Sequence, residues 1–600
     1  MRVLLLAHSF NSLTQRLHAE LIDDGHEISV EFDIADSVTE EAVALFPPDV
    51  VVAPFLKRAV PESIWKRELV LIVHPGIVGD RGPSALDWAI MNREREWGVT
   101  VLQAEAAMDA GPVWASARFT MRNATKASLY RNEVTEAALV AVREALTRVP
   151  QWRFGIWQPR SLASFDNPPG RLRPAMRQND RRIDWAADTT DIVLRKIRAA
   201  DGFPGLDDEM FGLPCRLFDA HPASHSPSDA APGDVIARSN GALLRTTVDG
   251  AVWIGHVTRP NAQHSFKLPA TTAFASEAVA LPEHLPDLLS DVPREGHPEA
   301  RGSRIRNGYA ELRYRENGEG NVGILAFDFY NGAMSTSQCH ALTAALHFAT
   351  ARPTRVLVLE GGSDFWSNGI HLNAIEAAAS PADESWANIN ALNDACLAIL
   401  NMTDKLTLAA LRGNAGAGGC FLALAADRVW AREGVILNPH YRNMGNLHGS
   451  EYWTYLLPRR VGAREAGRIM RDRLPLLARR AAAVGLIDDA FGSDVHSFSG
   501  GVARRAELLA ADPALERLIA EKARRRADDE ELKPLAAYRE AELEAMRRNF
   551  YGFDPSYHVA RYHFVMKSPH SWTPRHLARH RDLGWQLPWD PATSSQATAD

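Results

Sequence analysis

The sequence has little of what marks several protein classes. Its four cysteines, Cys215, Cys339, Cys396 and Cys420, lie far apart and share no metal-ligand spacing. A reducing, cytoplasmic compartment is therefore expected. The 21 histidines form no HExxH and no cluster beside a cysteine pair, so no metal site is predicted. His448, His563 and His570 read as structural residues. No apolar run approaches bilayer-spanning length, so no membrane association is expected. The opening MRVLLLAHSF has one basic residue and a very short apolar core, and it reads as a first strand rather than a signal peptide. Basic residues do not outnumber acidic ones: 67 against 74, for a net charge of -7. That balance argues against a nucleic-acid-binding surface. Internal repeats are also missing.

What is present is an ordinary globular composition, 46% hydrophobic and 24% charged, in a chain too long for one core. Residues 1–150 alternate short apolar runs with helical patterns. The expected strands are Val3–Ala7, Ile28–Phe32, Val50–Ala53, Val70–His74 and Val99–Gln103, with a long helix over Ala127–Val149. The pattern predicts a doubly wound parallel α/β sheet. Residues 151–180 read as a crossing linker. An amphipathic helix and short β runs then suggest a small β-barrel within 151–270. A linker is expected at 271–305. The chain restarts as α/β over 306–500. A charged helical region fills 501–590, and a disordered tail follows at 591–600.

Two stretches carry chemistry. In the first, the run LVLIVHPGIVGDRG ends a strand at His74, and GVT (98–100) leads to Asp109-Ala110-Gly111. A histidine at one strand end and an aspartate past the next can meet at a sheet edge and move protons during group transfer. These residues resemble the folate-dependent formyltransferases, whose core orders Asn-x-His, Arg-Gly, Gly-Val-Thr and Asp-x-Gly. The family's Asn position is Ile72 here. The segment from IDW to IRA, followed by Pro-Gly and short strands, resembles the same family's C-terminal barrel. The resemblance implies 10-formyl-tetrahydrofolate as formyl donor, with His74 and Asp109 catalytic. Arg81 suits a carboxylate or phosphate. Ser9, Asn11, Gln15 and Arg16, where a strand meets a helix N-terminus, are candidate folate or coenzyme A contacts, with helix capping by Ser9 or Asn11 as the alternative. Arg131 is a further candidate, or else an ordinary exposed helix arginine.

In the second stretch, VLVLEGGSDFWSNGIHL, RGNAGAGGC and AAVGLIDD together resemble the crotonase (enoyl-CoA hydratase/isomerase) superfamily. That resemblance implies an α/β domain whose amides of Ile370 and Gly418 form an oxyanion hole for a thioester. The hydratase acid/base positions are Phe421 and His440 here, so hydration is not expected. The polar block 438–462 supplies Tyr441 and Glu451 as acid/base candidates, with His440 as a further one. Their alternatives are a buried phenol and a helix cap near Ser450.

The two modules in this order resemble a family of hydrogenase maturation factors. The resemblance implies formyl transfer from 10-formyl-tetrahydrofolate to coenzyme A, then breakdown of formyl-CoA to carbon monoxide and CoA. The CO would become an iron ligand of a NiFe hydrogenase, whose maturation proteins are the expected partners. Two other readings are a formyltransferase with another acceptor and a CoA-binding regulatory half, and a non-catalytic maturation scaffold.

Overall fold

A computed structural model describes residues 1–223, 230–284 and 309–582. The expected tail at 591–600 and most of the expected linker at 271–305 lie outside the described residues.

The first half is built on a six-stranded sheet: β1 Arg2–Ala7, β2 Glu27–Phe32, β3 Val50–Phe55, β4 Val70–His74, β5 Glu96–Gln103 and β6 Val113–Thr120. The spatial order is β2-β1-β3-β4-β5-β6. The four strands from β2 to β4 pair in parallel, as their near-continuous apolar runs predict, because helices cover both faces. Helix α1, Ser12–Asp23, buries Leu13, Leu17 and Leu21 against one face. β5 and β6 run antiparallel to their neighbours. The chain leaving His74 re-enters the sheet beside it, with Thr100 opposite His74, so no return crossover is needed. β6, whose outer positions alternate exposed and half-buried, was not expected from the sequence. The expected long helix is present over 126–153, with a π-helical turn at Tyr130–Val134.

Residues 151–180 do more than cross between units. They bridge back onto the first half, Arg160 beside Val113 at the start of β6 and Leu172 beside Arg81 in the loop after β4. The helix Thr190–Ala200 then precedes an antiparallel sheet of short strands running from Leu206 to Thr258. Arg245 reaches from one of these strands to the Glu209 carbonyl, tying distant strands together.

The second half holds a further six-stranded sheet in which Val322–Phe327, Val356–Glu360, Leu406–Leu411 and Arg428–Ala431 pair in parallel. A second, smaller sheet carries Phe365–Ser367, Asn414–Gly416 and Ile436–Asn438. Helices Val495–Ala510 and Leu515–Leu532 pack on the six-stranded sheet, and Leu535–Tyr551 packs against Pro381–Leu400 and Trp453–Asp472. The chain finally returns to the first half. Val30 N–H donates to the Leu577 carbonyl, and Glu31 accepts from Thr573, His580 and Arg581. Burial alone would raise the Glu31 carboxyl, but these donors outweigh it and hold the carboxyl below its usual range. No helix among the described residues is long and apolar enough to cross a membrane.

Two candidate active sites

His74 closes β4, and its ring is buried. Because β5 runs away from it, Asp109 reaches it by a different route from the one its position after β5 suggested. The loop 104–112 folds back: Asp109 takes a φ of 53°, and a Cβ on Gly111 would lie 1.9 Å from the Gln103 carbonyl oxygen. Asp109 Oδ2 then sits 3.5 Å from His74 Nδ1 and accepts from the Gly82 N–H at 3.1 Å. The other ring nitrogen, Nε2, lies 3.0 Å from Asp80 Oδ2. Sequence reasoning did not single out Asp80. Ile72, in the family's Asn position, packs against the apolar cluster that includes Val51, Ile64 and Val70. It offers no polar group. Arg81 pairs through its backbone with Arg171 and Arg173.

Of the four candidate contacts around α1, three are committed elsewhere. Asn11 caps the helix, accepting from Thr14 N–H at 3.0 Å. Gln15 spans the halves, donating to the Phe10 carbonyl and accepting from Asn438 Nδ2 at 2.9 Å. Arg16 is buried and ion-paired to Glu20 and Glu136, and it donates to the Gly434 carbonyl at 2.8 Å. Its guanidinium is engaged by the protein, which favours a junction role over a ligand contact. Ser9 supplies only its carbonyl, to Asn11 N–H and Thr14 Oγ1. Arg131 also serves the junction, meeting Asp364 at 3.3 Å and Asn331 at 3.2 Å and lying over the Phe365 ring.

In the second half the two glycine-rich turns meet. A Cβ on Gly369 would fall 3.2 Å from the Gly418 nitrogen. Among the described residues, no acceptor takes the N–H of Ile370 or of Gly418. Ala417, before the helix Gly418–Leu424, takes a φ of 47°, which turns the chain sharply into it. Glu451 is buried against this turn. A Cβ on Gly418 would lie 2.1 Å from Glu451 Oε1, so only glycine leaves room for the carboxylate. Tyr441 donates to Glu451 Oε2 at 2.6 Å and stacks on Phe421, the side chain replacing a hydratase carboxylate. Burial pushes the Glu451 carboxyl up to about 8; the Tyr441 hydrogen bond opposes this and the nearby Glu542 charge adds to it. Burial, then the Glu451 charge, raises the Tyr441 phenol well above its usual range.

Glu451 does not cap the following helix. It and Tyr452 both sit at φ 59°, and the free N–H groups of Tyr452 and Thr454 donate to Glu542 at 3.0 and 2.8 Å. Glu542, on Leu535–Tyr551, is itself buried, which raises its carboxyl to about 7 against the pull of the Thr454 hydrogen bonds. Asn393 completes the frame, accepting from the Glu451 N–H at 2.7 Å. Neither residue was evident in the sequence. His440 stands apart from this group. Burial first, then His576 and Arg473, lower it to about 4, and its Nδ1 has no partner. Its charged neighbours, His576 and Arg473, lie away from Tyr441 and Glu451 in the junction with the C-terminal segment. No group of His, Cys, Asp and Glu suited to a metal occurs among the described residues.

Both glycine-rich turns are held by the first half. Ser128, Arg131 and Asn132 grip Asp364, which leads into Phe365–Ser367 and the Ile370 turn. Gln15 holds Asn438, whose carbonyl accepts from Ala417, beside Gly418.

Comparison with known proteins agrees with this architecture. Residues 322–573 match the family model of enoyl-CoA hydratase/isomerase, and residues 175–265 match that of the formyl transferase C-terminal domain. The hydrogenase maturation factor HoxX of Bradyrhizobium diazoefficiens is 54% identical over 581 residues, covering 97% of each chain. A crystal structure of HypX from Aquifex aeolicus in complex with tetrahydrofolic acid has a TM-score of 0.90 at 45% identity, covering 98% of this chain and all of that one. Methionyl-tRNA formyltransferase of Burkholderia multivorans is 26% identical over 41% of this chain and 75% of its own.

Proposed function

The chain belongs to the HypX/HoxX family of hydrogenase maturation factors, and on that premise we propose that it makes carbon monoxide in two steps. In the first, the formyl group of 10-formyl-tetrahydrofolate passes to the thiol of coenzyme A. Folate binding by the relative from Aquifex aeolicus supports the donor. The sulfur bonds to the formyl carbon, the bond from that carbon to the folate nitrogen breaks, and the nitrogen takes a proton. His74 and Asp109 stand together to serve that proton. A thiol ionises far more readily than an amine, so an acceptor of this kind needs less help in attacking. That fits the apolar Ile72 where an amide side chain would otherwise polarise the group.

In the second step, formyl-CoA gives CO and CoA. Glu451 takes the formyl proton, the carbon–sulfur bond breaks toward sulfur, and the thiolate is reprotonated. The amides of Ile370 and Gly418 orient the thioester oxygen. The observation that carries this reading is Glu451 Oε1 against Gly418, with Tyr441 holding the other carboxylate oxygen. It sets one elevated carboxyl beside a thioester-type turn and no second hydratase carboxylate.

The test supplies the purified protein with 10-formyl-tetrahydrofolate and CoA while a reduced haem protein traps CO. Wild type should consume formyl-folate and release CO. His74→Ala should stop CO release from folate and leave release from added formyl-CoA. Formyl-folate consumption at the wild-type rate by His74→Ala would overturn the first assignment. Failure of wild type to release CO from formyl-CoA would overturn the second.

A further inference from the structure

The loop after β4 is clamped by the connector that follows the first half. Cβ atoms placed on Gly79 and Gly82 would strike Pro168 at 2.9 Å and the Arg173 carbonyl oxygen at 2.3 Å, and one on Gly170 would strike the Asp80 nitrogen at 1.9 Å. This close threading delivers Arg173 to Asp80. Arg173 Nε donates to Asp80 Oδ1 at 2.9 Å, while Oδ2 faces His74 Nε2 at 3.0 Å. All three side chains are buried. Gly76 seats the ring: a Cβ there would lie 2.3 Å from His74 Nε2 and 2.7 Å from Asp80 Oδ2. On the opposite side, Asp109 is partly open and meets Nδ1 at the longer 3.5 Å.

We infer that Asp80, held by Arg173, is the positioning carboxylate of His74 and makes Nδ1 the nitrogen that exchanges protons with substrate. The inference rests on the reading that His74 serves formyl transfer. Its logic is that of a buried acid behind a catalytic imidazole. A carboxylate only accepts, so Asp80 fixes the hydrogen of His74 on Nε2 and turns the other nitrogen toward the reaction. The charged groups around the ring are Asp80 and Asp109, with Arg173 and then Glu94 behind Asp80. As sulfur bonds to the formyl carbon, the carbon–nitrogen bond breaks with its electron pair staying on the folate nitrogen. Nδ1 takes the proton lost by the thiol and then gives it to that nitrogen.

Asp80→Asn tests this without a change of shape. The amide oxygen must face the Arg173 donor, so the NH2 faces Nε2 and drives the ring hydrogen to Nδ1. The variant should bind folate as wild type does, with kcat for formyl transfer down about 100- to 10,000-fold. Nitrogen NMR of His74 should show the hydrogen moved from Nε2 to Nδ1, a change that loss of packing alone does not produce. Adding Arg173→Met frees the amide to turn its oxygen to Nε2 and should recover part of the rate. Wild-type kcat, or a His74 that keeps its hydrogen on Nε2, would overturn the inference. If His74→Ala also transfers formyl at the wild-type rate, the underlying reading fails instead.

Discussion

Glu451 combines a left-handed backbone, full burial and a carboxyl raised to about 8. As a base it works only when ionised. Release of CO from formyl-CoA should therefore fall as pH drops below about 8, and a rate profile rising through that value is the check. Glu451→Gln keeps the shape and removes the acceptor, so that release should drop about 100- to 10,000-fold. The same substitution has a stability consequence. A carboxyl whose folded value lies above its unfolded one favours folding at low pH, and that contribution is lost as pH rises through the folded value. Glu451→Gln should thus be more stable than wild type at pH 8, with a smaller difference at pH 5, read from urea midpoints. Gly418→Ala should abolish the same step while sparing formyl transfer, because its methyl occupies the position of Oε1.

At the scale of elements, a helix far along the chain sets the geometry of the Glu451 turn. Glu542 takes two backbone N–H groups and the Thr454 hydroxyl. Those donors belong to the first turn of a helix entered through two left-handed residues, where no local side chain caps them. Glu542→Ala leaves them buried without an acceptor. A loss of about 2–4 kcal/mol is expected, since each bond to a charged group contributes roughly 1.5–3 kcal/mol and water recovers part of it. The urea midpoint should fall, and CO release from formyl-CoA with it. Consumption of formyl-folate should persist under conditions where the variant remains folded.

For the whole molecule, the junction between the halves is the distinctive feature. Asp364 receives Ser128, Arg131 and Asn132 on one side and leads to the Ile370 turn on the other. The first half therefore braces the second at its two glycine-rich turns. Asp364→Ala should leave each half-reaction measurable with its own substrate. The ratio of CO released to formyl-folate consumed should fall, because the thioester escapes between the two sites. An unchanged ratio would mean that the grip has no part in the transfer.

The sequence by itself determined both modules, their order and their strand-end chemistry. His74, Asp109, the two glycine-rich turns and the Tyr441–Glu451 block all lie in short segments whose apolar runs and turn residues act locally. The replacement of the family's Asn and of the hydratase acid/base residues by Ile72, Phe421 and His440 was legible for the same reason. Only the tertiary structure decided which partners the polar and charged side chains have. Arg16, Gln15 and Arg131 also have partners at Gly434, Asn438 and Asp364, hundreds of residues away, which the sequence does not show. Asp80 and Arg173 meet through a connector that read as a plain linker, and Glu542 lay within a region that read only as charged and helical. A charged group is defined by what neutralises it within a few ångströms, and chain periodicity carries no information about a partner brought there by folding.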